Sequence, residues 1–160
     1  MPERSAGILM YRQRAGVLEV LLVHPGGPFW AKKDEGAWTI PKGVYGPDED
    51  ALVAAKREFE EETGVQPAGK FSALGEFRQS SAKTISIWAV EGDLDPAEIK
   101  SNSFSIEWPP KSGKIAQFPE VDRAGWFSPQ EARRKILKGQ RAVLDALVAR
   151  LRGHERGRIL

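Results

Sequence analysis

Three observations predict an α/β fold, a mixed β-sheet with helices packed on its faces. Strand-like runs recur over 5–12, 17–24, 70–79 and 83–91; a segment of helical period follows Asp48–Asp50; two more such segments follow Ser128. With 160 residues, the chain has the length of one domain able to bury a proper core. The expected division is a single domain over 1–152 and a flexible basic tail over 153–160.

The first two strands flank an Arg14-Ala15-Gly16 turn, and VLEVLLVH alternates too poorly for a half-exposed strand, so it should be buried. PGGP and the KKDEG cluster make 25–36 a loop. A short strand is expected at 37–40, stopped by Pro41, with Gly43 allowing a turn that a side chain would obstruct. The following helix should begin near Asp48 or Asp50, acids suited to its N-cap and to the positive end of its dipole. Leu52, Ala55 and Phe59 recur on its core face, and Gly64 suits the left-handed position past its end. After the strands at 70–79 and 83–91 comes an acidic connection over 92–100, then a short strand at 103–108 ended by Pro109 and Pro110. From there to a late strand at 124–127 the chain reads as a long irregular passage, the kind that often forms a binding loop. Ser128-Pro129-Gln130-Glu131 is a helix start with cap, Pro and Glu in their preferred places. Helices are expected over 129–137 and 140–151, the second turning Val143, Leu144, Leu147, Val148 and Leu151 inward.

Glu58, Glu61 and Glu62 stand three and four residues apart at the end of the central helix, hence on one face. Carboxylates so crowded repel one another unless a cation sits among them. A hard divalent ion such as Mg2+, with Mn2+ as a substitute, prefers their oxygens. Taken alone, three helical glutamates are more often a solvated acidic face. Their register with Gly43, Glu49, Arg57 and Gly64 argues otherwise.

Gly43, Glu49, Arg57, Glu58, Phe59, Glu61, Glu62, Gly64 and Val65 match every fixed position of G-x5-E-x7-R-E-U-x-E-E-x-G-U, where U is bulky and apolar. Chance would produce that match in about one such chain in ten million at ordinary residue frequencies. On these residues the chain resembles the Nudix hydrolases. A departure is Asp48, where many members carry Gly before the first Glu. The resemblance implies an α/β/α sandwich with the motif as loop, helix and loop. It also implies a magnesium-dependent pyrophosphohydrolase cutting a phosphoanhydride bond. Carried onto this chain, Glu58 and Glu62 are the main metal ligands, with the Gly43 carbonyl and Glu49 completing the set. Glu61 is the base or water-orienting residue, and Arg57 pairs with it. A further catalytic carboxylate from outside the motif is expected at Glu107, with Glu120 and Asp122 behind it.

The substrate is expected to be a phosphate-rich small molecule, a dinucleoside polyphosphate or a nucleoside triphosphate. Lys42 would grip a phosphate as a point charge. Trp30 and Trp38 are taken as substrate-binding residues, from a set of possible base-stacking rings that includes Phe29, Trp88, Trp108 and Trp126. An RNA 5′ end is the alternative substrate, and a nucleotide-sensing module without turnover is the alternative class. The sensing reading is weakened by the complete carboxylate set.

Zero cysteines exclude disulfides and thiolate metal sites and fit a cytoplasmic location. His24 and His154 are too far apart in sequence to suggest a zinc site. Neither an apolar run of membrane-spanning length nor a signal-peptide core is apparent. The net charge of +2 conceals a basic end, +7 over 133–158, against −5 for the rest. That end reads as a solvated helix face with a frayed tail, and secondarily as an attractor of nucleic acid. A monomer and a homodimer are both left open.

Overall fold

The computed structural model describes residues 3–159, with the side chains from His154 onward excepted. Its strands are β1 (Glu3–Arg14), β2 (Val17–Pro25), β3 (Lys42–Val44), β4 (Ser72–Ser80), β5 (Lys83–Glu91), β6 (Ser103–Glu107), β7 (Ile115–Pro119) and β8 (Val121–Phe127). Its helices are α1 (Ala51–Thr63), α2 (Pro129–Lys135) and α3 (Arg141–Ile159).

The main sheet runs β4-β5-β1-β2-β8, with β3 added on β1. It is mixed because β1 and β5 are parallel while the other pairs are antiparallel. Alternate residues divide the sheet between two cores. Leu9, Val20, Leu22, Ile85 and Ile87 pack with Ala132 and Ile136 of α2 and with Val143, Leu144 and Leu147 of α3. Ile8, Met10, Leu21 and Val90 pack with Ala54, Ala55 and Phe59 of α1. Helices on both faces make the expected sandwich.

β1 and β2 pair only over Tyr11–Arg14 and Val17–Val20. Beyond that they separate, and the chain from Trp38 to Val44 fills the gap. Thr39 exchanges both backbone bonds with Val23 at 2.9 Å, and Ile8 N–H donates to Pro41 O at 3.2 Å. Ser5–Gly7 then pair with β3. This insertion carries Gly43 to α1.

Several expected boundaries are corrected. The strand placed at 37–40 is reduced to isolated bridges at Trp38 and Thr39, and the true strand lies beyond Pro41. Much of the hydrogen bonding of 36–40 is taken by the end of α2. Trp38 N–H donates to Lys135 O, Leu137 N–H donates to Trp38 O, and Ile40 N–H meets Gln140 Oε1. The passage after Pro110 contains β7, which pairs with β6 as a separate two-stranded sheet, and the late strand starts at Val121. Its IAQFP sequence is short and ends in Pro, so its alternation is easily missed. α2 stops at Lys135, and α3 runs through Ile159 instead of ending at 151. Most of the expected basic tail thus has side chains outside the described residues.

The central helix follows its sequence closely. Asp50 caps it by accepting from Val53 N–H at 3.1 Å. Gly64 ends it at φ 78°, a left-handed value that favours glycine.

Candidate active site

α1 presents Glu58, Glu61 and Glu62 toward the inserted 38–44 segment and the β7–β8 junction. Gly43 lies so close that a Cβ there would fall inside the Glu58 carboxylate. Its missing side chain is therefore a requirement of this contact. One residue earlier, Lys42 N–H donates to Glu62 Oε2 at 2.8 Å.

Arg57 is the positive centre of the group. It makes two parallel bonds to Glu49, Nε to Oε2 at 3.0 Å and Nη2 to Oε1 at 2.9 Å. Its Nη1 donates to Glu58 Oε1 at 2.9 Å and more loosely to Glu61, at 3.3 and 3.4 Å. The expected Arg57–Glu61 pair is present, but Glu49 and Glu58 hold the guanidinium more tightly. Glu49, expected among the metal ligands, has both oxygens engaged by Arg57, whose bonds pull its pKa below the usual carboxylate range.

The other acids are pushed the opposite way. Glu62 is only 9% exposed. Burial raises its pKa to about 8, the charges of Glu58 and Glu120 adding to the rise while the Lys42 N–H and ammonium oppose it. Glu58 is also raised, first by burial and then by the charges of Glu61 and Glu49, with Arg57 opposing. Burial lowers the Lys42 ammonium, while Glu62 is the strongest charge holding it up.

Glu120 joins this group. Burial raises its pKa, and the charges of Glu58 and Glu61 add to the rise. Its backbone is held on both sides: Glu120 N–H donates to Asn102 O at 2.7 Å, and Gly26 N–H donates to Glu120 O at 2.9 Å. Asn102 N–H in turn donates to Glu61 O at 2.7 Å, tying the junction to the end of α1. Glu107, preferred from the sequence, stands exposed on β6 opposite Ile115 and has no bond to the motif. Asp122 accepts from His24 Nδ1 at 2.8 Å. Nothing in the motif specifies the register of the β7–β8 junction, so sequence reasoning had no signal by which to prefer Glu120.

These residues fit a divalent cation. Glu62, Glu58 and Glu120 are acids whose charged forms are disfavoured by burial and by one another, and the Gly43 contact leaves no room for a side chain beside Glu58. Among the described residues no three acids or imidazoles converge on one point as they stand, and Arg57 Nη1 bonds both Glu58 and Glu61.

The two tryptophans expected to bind substrate differ in placement: Trp38 is enclosed, whereas Trp30 stays partly exposed in the 25–36 loop. Trp38 is 6% exposed. Its indole donates to Asp34 Oδ1 at 2.8 Å, and its ring packs edge-on against His24 and Phe127. It is a core residue. Trp30 is half-buried, with Lys33 Nζ 5.0 Å from its ring centroid. His24 is buried, with its ring nitrogens 2.8 Å from Asp122 Oδ1 and 2.6 Å from Lys33 O, and the side chain of His154 lies outside the described residues.

A family model described as the NUDIX domain matches residues 1–147. The bis(5′-nucleosyl)-tetraphosphatase (asymmetrical) of Caenorhabditis elegans is 38% identical over 65 residues, 41% of this chain and 43% of that protein. An RNA pyrophosphohydrolase of Erythrobacter litoralis is 48% identical over 61 residues, 36% of each chain. These matches thus span less than half the length of either relative. In structure, a C. elegans Ap4A hydrolase binary complex is similar with a TM-score of 0.65 at 23% identity, covering 94% of this chain and 98% of that one. The NUDIX domain of Shewanella oneidensis NrtR complexed with ADP ribose gives 0.64 at 16% identity, covering 94% and 89%. At such identities these two structures speak to the fold. No described helix is long and apolar enough to cross a membrane. With the family model spanning nearly the whole chain, and the motif folded as one loop-helix-loop against β3, this protein belongs to the NUDIX family.

Proposed function

We propose that this chain is a magnesium-dependent pyrophosphohydrolase of nucleotides, with a dinucleoside polyphosphate or nucleoside triphosphate as substrate. The observation that carries this reading is the buried Glu62 carboxyl, close enough to Glu58 and Glu120 to feel their charges, beside a glycine whose Cβ would fall inside the Glu58 carboxylate. A structural helix face has no reason to bury acids in that way.

Glu58 and Glu62 would hold the metal with the Gly43 carbonyl, and Glu120 replaces Glu107 as the carboxylate recruited from outside the motif. The ion would neutralise phosphate charge and acidify a coordinated water. Glu61, a third exposed, is reached by solvent and accepts the proton of the attacking water. The water oxygen bonds to phosphorus as the anhydride P–O bond breaks, and the departing phosphate keeps the electron pair. Arg57, anchored on Glu49, keeps Glu58 and Glu61 directed without touching substrate. Lys42 adds positive charge beside the group.

The test is a screen of dinucleoside polyphosphates, nucleoside triphosphates, nucleotide sugars and diphosphoinositol phosphates with and without magnesium, products being separated chromatographically. Magnesium-dependent cleavage of a nucleotide is the expected result; no turnover of any compound would falsify the reading. The partial match to an RNA pyrophosphohydrolase favours RNA 5′ ends as the second substrate class, to be run as a separate arm.

A further inference from the structure

Away from the carboxylates, the 25–36 loop and the β6–β7 hairpin hold a second group that the hydrolytic chemistry does not use. Phe29 is 57% exposed, and its ring meets Trp108 edge-on, with centroids 5.3 Å apart and planes at 80°. Large apolar rings left in water at a loop tip are unfavourable unless something covers them. The pair is firmly mounted. Gly27 lies against the Phe104 ring, where a Cβ would come within 2.8 Å of Cζ. Phe104 packs on Phe118 across the hairpin, and Trp108 N–H donates to Lys114 O at 2.9 Å.

The surroundings are basic. Lys32 and Lys33 come from the loop, Lys111 and Lys114 from the hairpin turn, and among the described residues none of the four is in a salt bridge. The nearby acids Asp34 and Glu35 are paired with Lys135 and Arg134, and Glu107 is the remaining carboxylate on β6. An exposed ring and its half-buried partner, on segments that also carry lysines, fit a base and its phosphates.

The same hairpin connects this platform to the motif. Its root is Asn102, bonded to Glu61 O, and the six residues from there to Trp108 span about 20 Å at strand rise. A ligand engaging both ends must therefore carry a base well beyond the phosphorus under attack. A polyphosphate bridge followed by a second nucleoside has that reach, whereas a mononucleotide's base lies only one sugar from its phosphate.

We propose that Phe29 and Trp108 form the stacking platform for the distal nucleobase of a dinucleoside polyphosphate, with Lys111 and Lys114 taking the adjoining phosphates. This rests on the hydrolytic reading of the α1 site, and it makes the two aromatic residues determinants of specificity.

The experiment measures binding to the Glu61→Gln protein in magnesium by calorimetry, so that turnover does not intervene. Dinucleoside tetraphosphate is compared with inorganic tetraphosphate, before and after Phe29→Ala and Trp108→Ala, singly and together. The double variant should bind the dinucleotide about tenfold or more weakly, the loss typical of a stacked base. It should keep its affinity for inorganic tetraphosphate, and Trp108→Phe should restore most dinucleotide binding. Unchanged dinucleotide affinity, or an equal loss for inorganic tetraphosphate, overturns the platform. A 5′-triphosphorylated oligoribonucleotide losing more affinity than the dinucleotide overturns the choice of occupant. Circular dichroism confirms that each variant is folded. Failure of the wild-type chain to cleave any nucleotide in the earlier screen would strike the α1 reading instead, and the binding series would still decide the platform.

Discussion

The end of α1 and the tip of the β6–β7 hairpin each break the ordinary rule of placement, in opposite directions. At α1 a carboxyl is buried: Glu62 is 9% exposed and its pKa is pushed up to about 8. Against the hairpin tip an aromatic ring of the 25–36 loop is left out: Phe29, packed on Trp108, is 57% exposed. Water normally takes the charge and the core takes the ring, because desolvating an ion is costly and burying apolar area is favourable. Beside each exception a glycine allows a close approach, Gly43 to Glu58 and Gly27 to Phe104. The contrast teaches that a site can be recognised by what it costs the fold, and that two such costs on linked elements point to two ends of one ligand.

The largest expected effect tests which aromatic residues belong to the core. Trp38→Ala should destabilise the protein by about 3–5 kcal/mol in urea unfolding, because Trp38 packs between His24 and Phe127. A loss under about 1 kcal/mol would return Trp38 to the candidates for substrate stacking.

Next in size is turnover. Glu61→Gln and Glu62→Gln should each lower kcat at least a hundredfold, about 2.7 kcal/mol of barrier, with the protein still folded. Near-normal kcat in either variant breaks the role assigned to it. Gly43→Ala should cost about 1–3 kcal/mol of stability, because its methyl would displace the Glu58 carboxylate. Metal titration should show weakened binding in the same variant.

The pH dependence of the metal-free protein sharpens the buried half of the comparison. Glu62 titrates in the folded state near 8, above its ordinary value of 4.5. Its contribution is therefore fully present below pH 4.5 and is lost as pH rises toward 8. Thermal unfolding across that window should show stability falling with pH, and Glu62→Gln should flatten the slope. Added magnesium should offset the loss at the alkaline end, since it binds the charged form.

Smallest is the stability effect at the exposed end. Phe29→Ala should change unfolding free energy by less than about 1 kcal/mol, since more than half of the residue is exposed and its ring meets Trp108 only edge-on. A loss above about 2 kcal/mol would make Phe29 a packing residue and remove the basis of the platform.

Much of this was legible from residues alone where the interactions are local. The Asp50 cap, the Gly64 stop and the Ala55–Phe59 core face follow from helical spacing. The i, i+4 contact of Arg57 with Glu61 follows in the same way. Residues whose partners lie far along the chain were harder to place. Trp38 and Phe29 are both aromatic residues in or beside one loop, yet one is enclosed by β2, β8 and α2 while the other faces solvent. Glu107 and Glu120 are both acids near strand ends, but only the β7–β8 connection turns one of them toward α1.

The amino-acid order by itself determined that one helix would crowd three carboxylates on a single face, and that glycine would stand before and after it. Periodicity and caps act within a few residues, so no partner from elsewhere is needed. Which further acid joins them, which guanidinium bonds dominate and which rings remain in water were decided only by the tertiary structure. Those outcomes depend on how the 38–44 segment wedges between β1 and β2 and on how the hairpin folds over the loop, and both are set by contacts between residues distant in the chain.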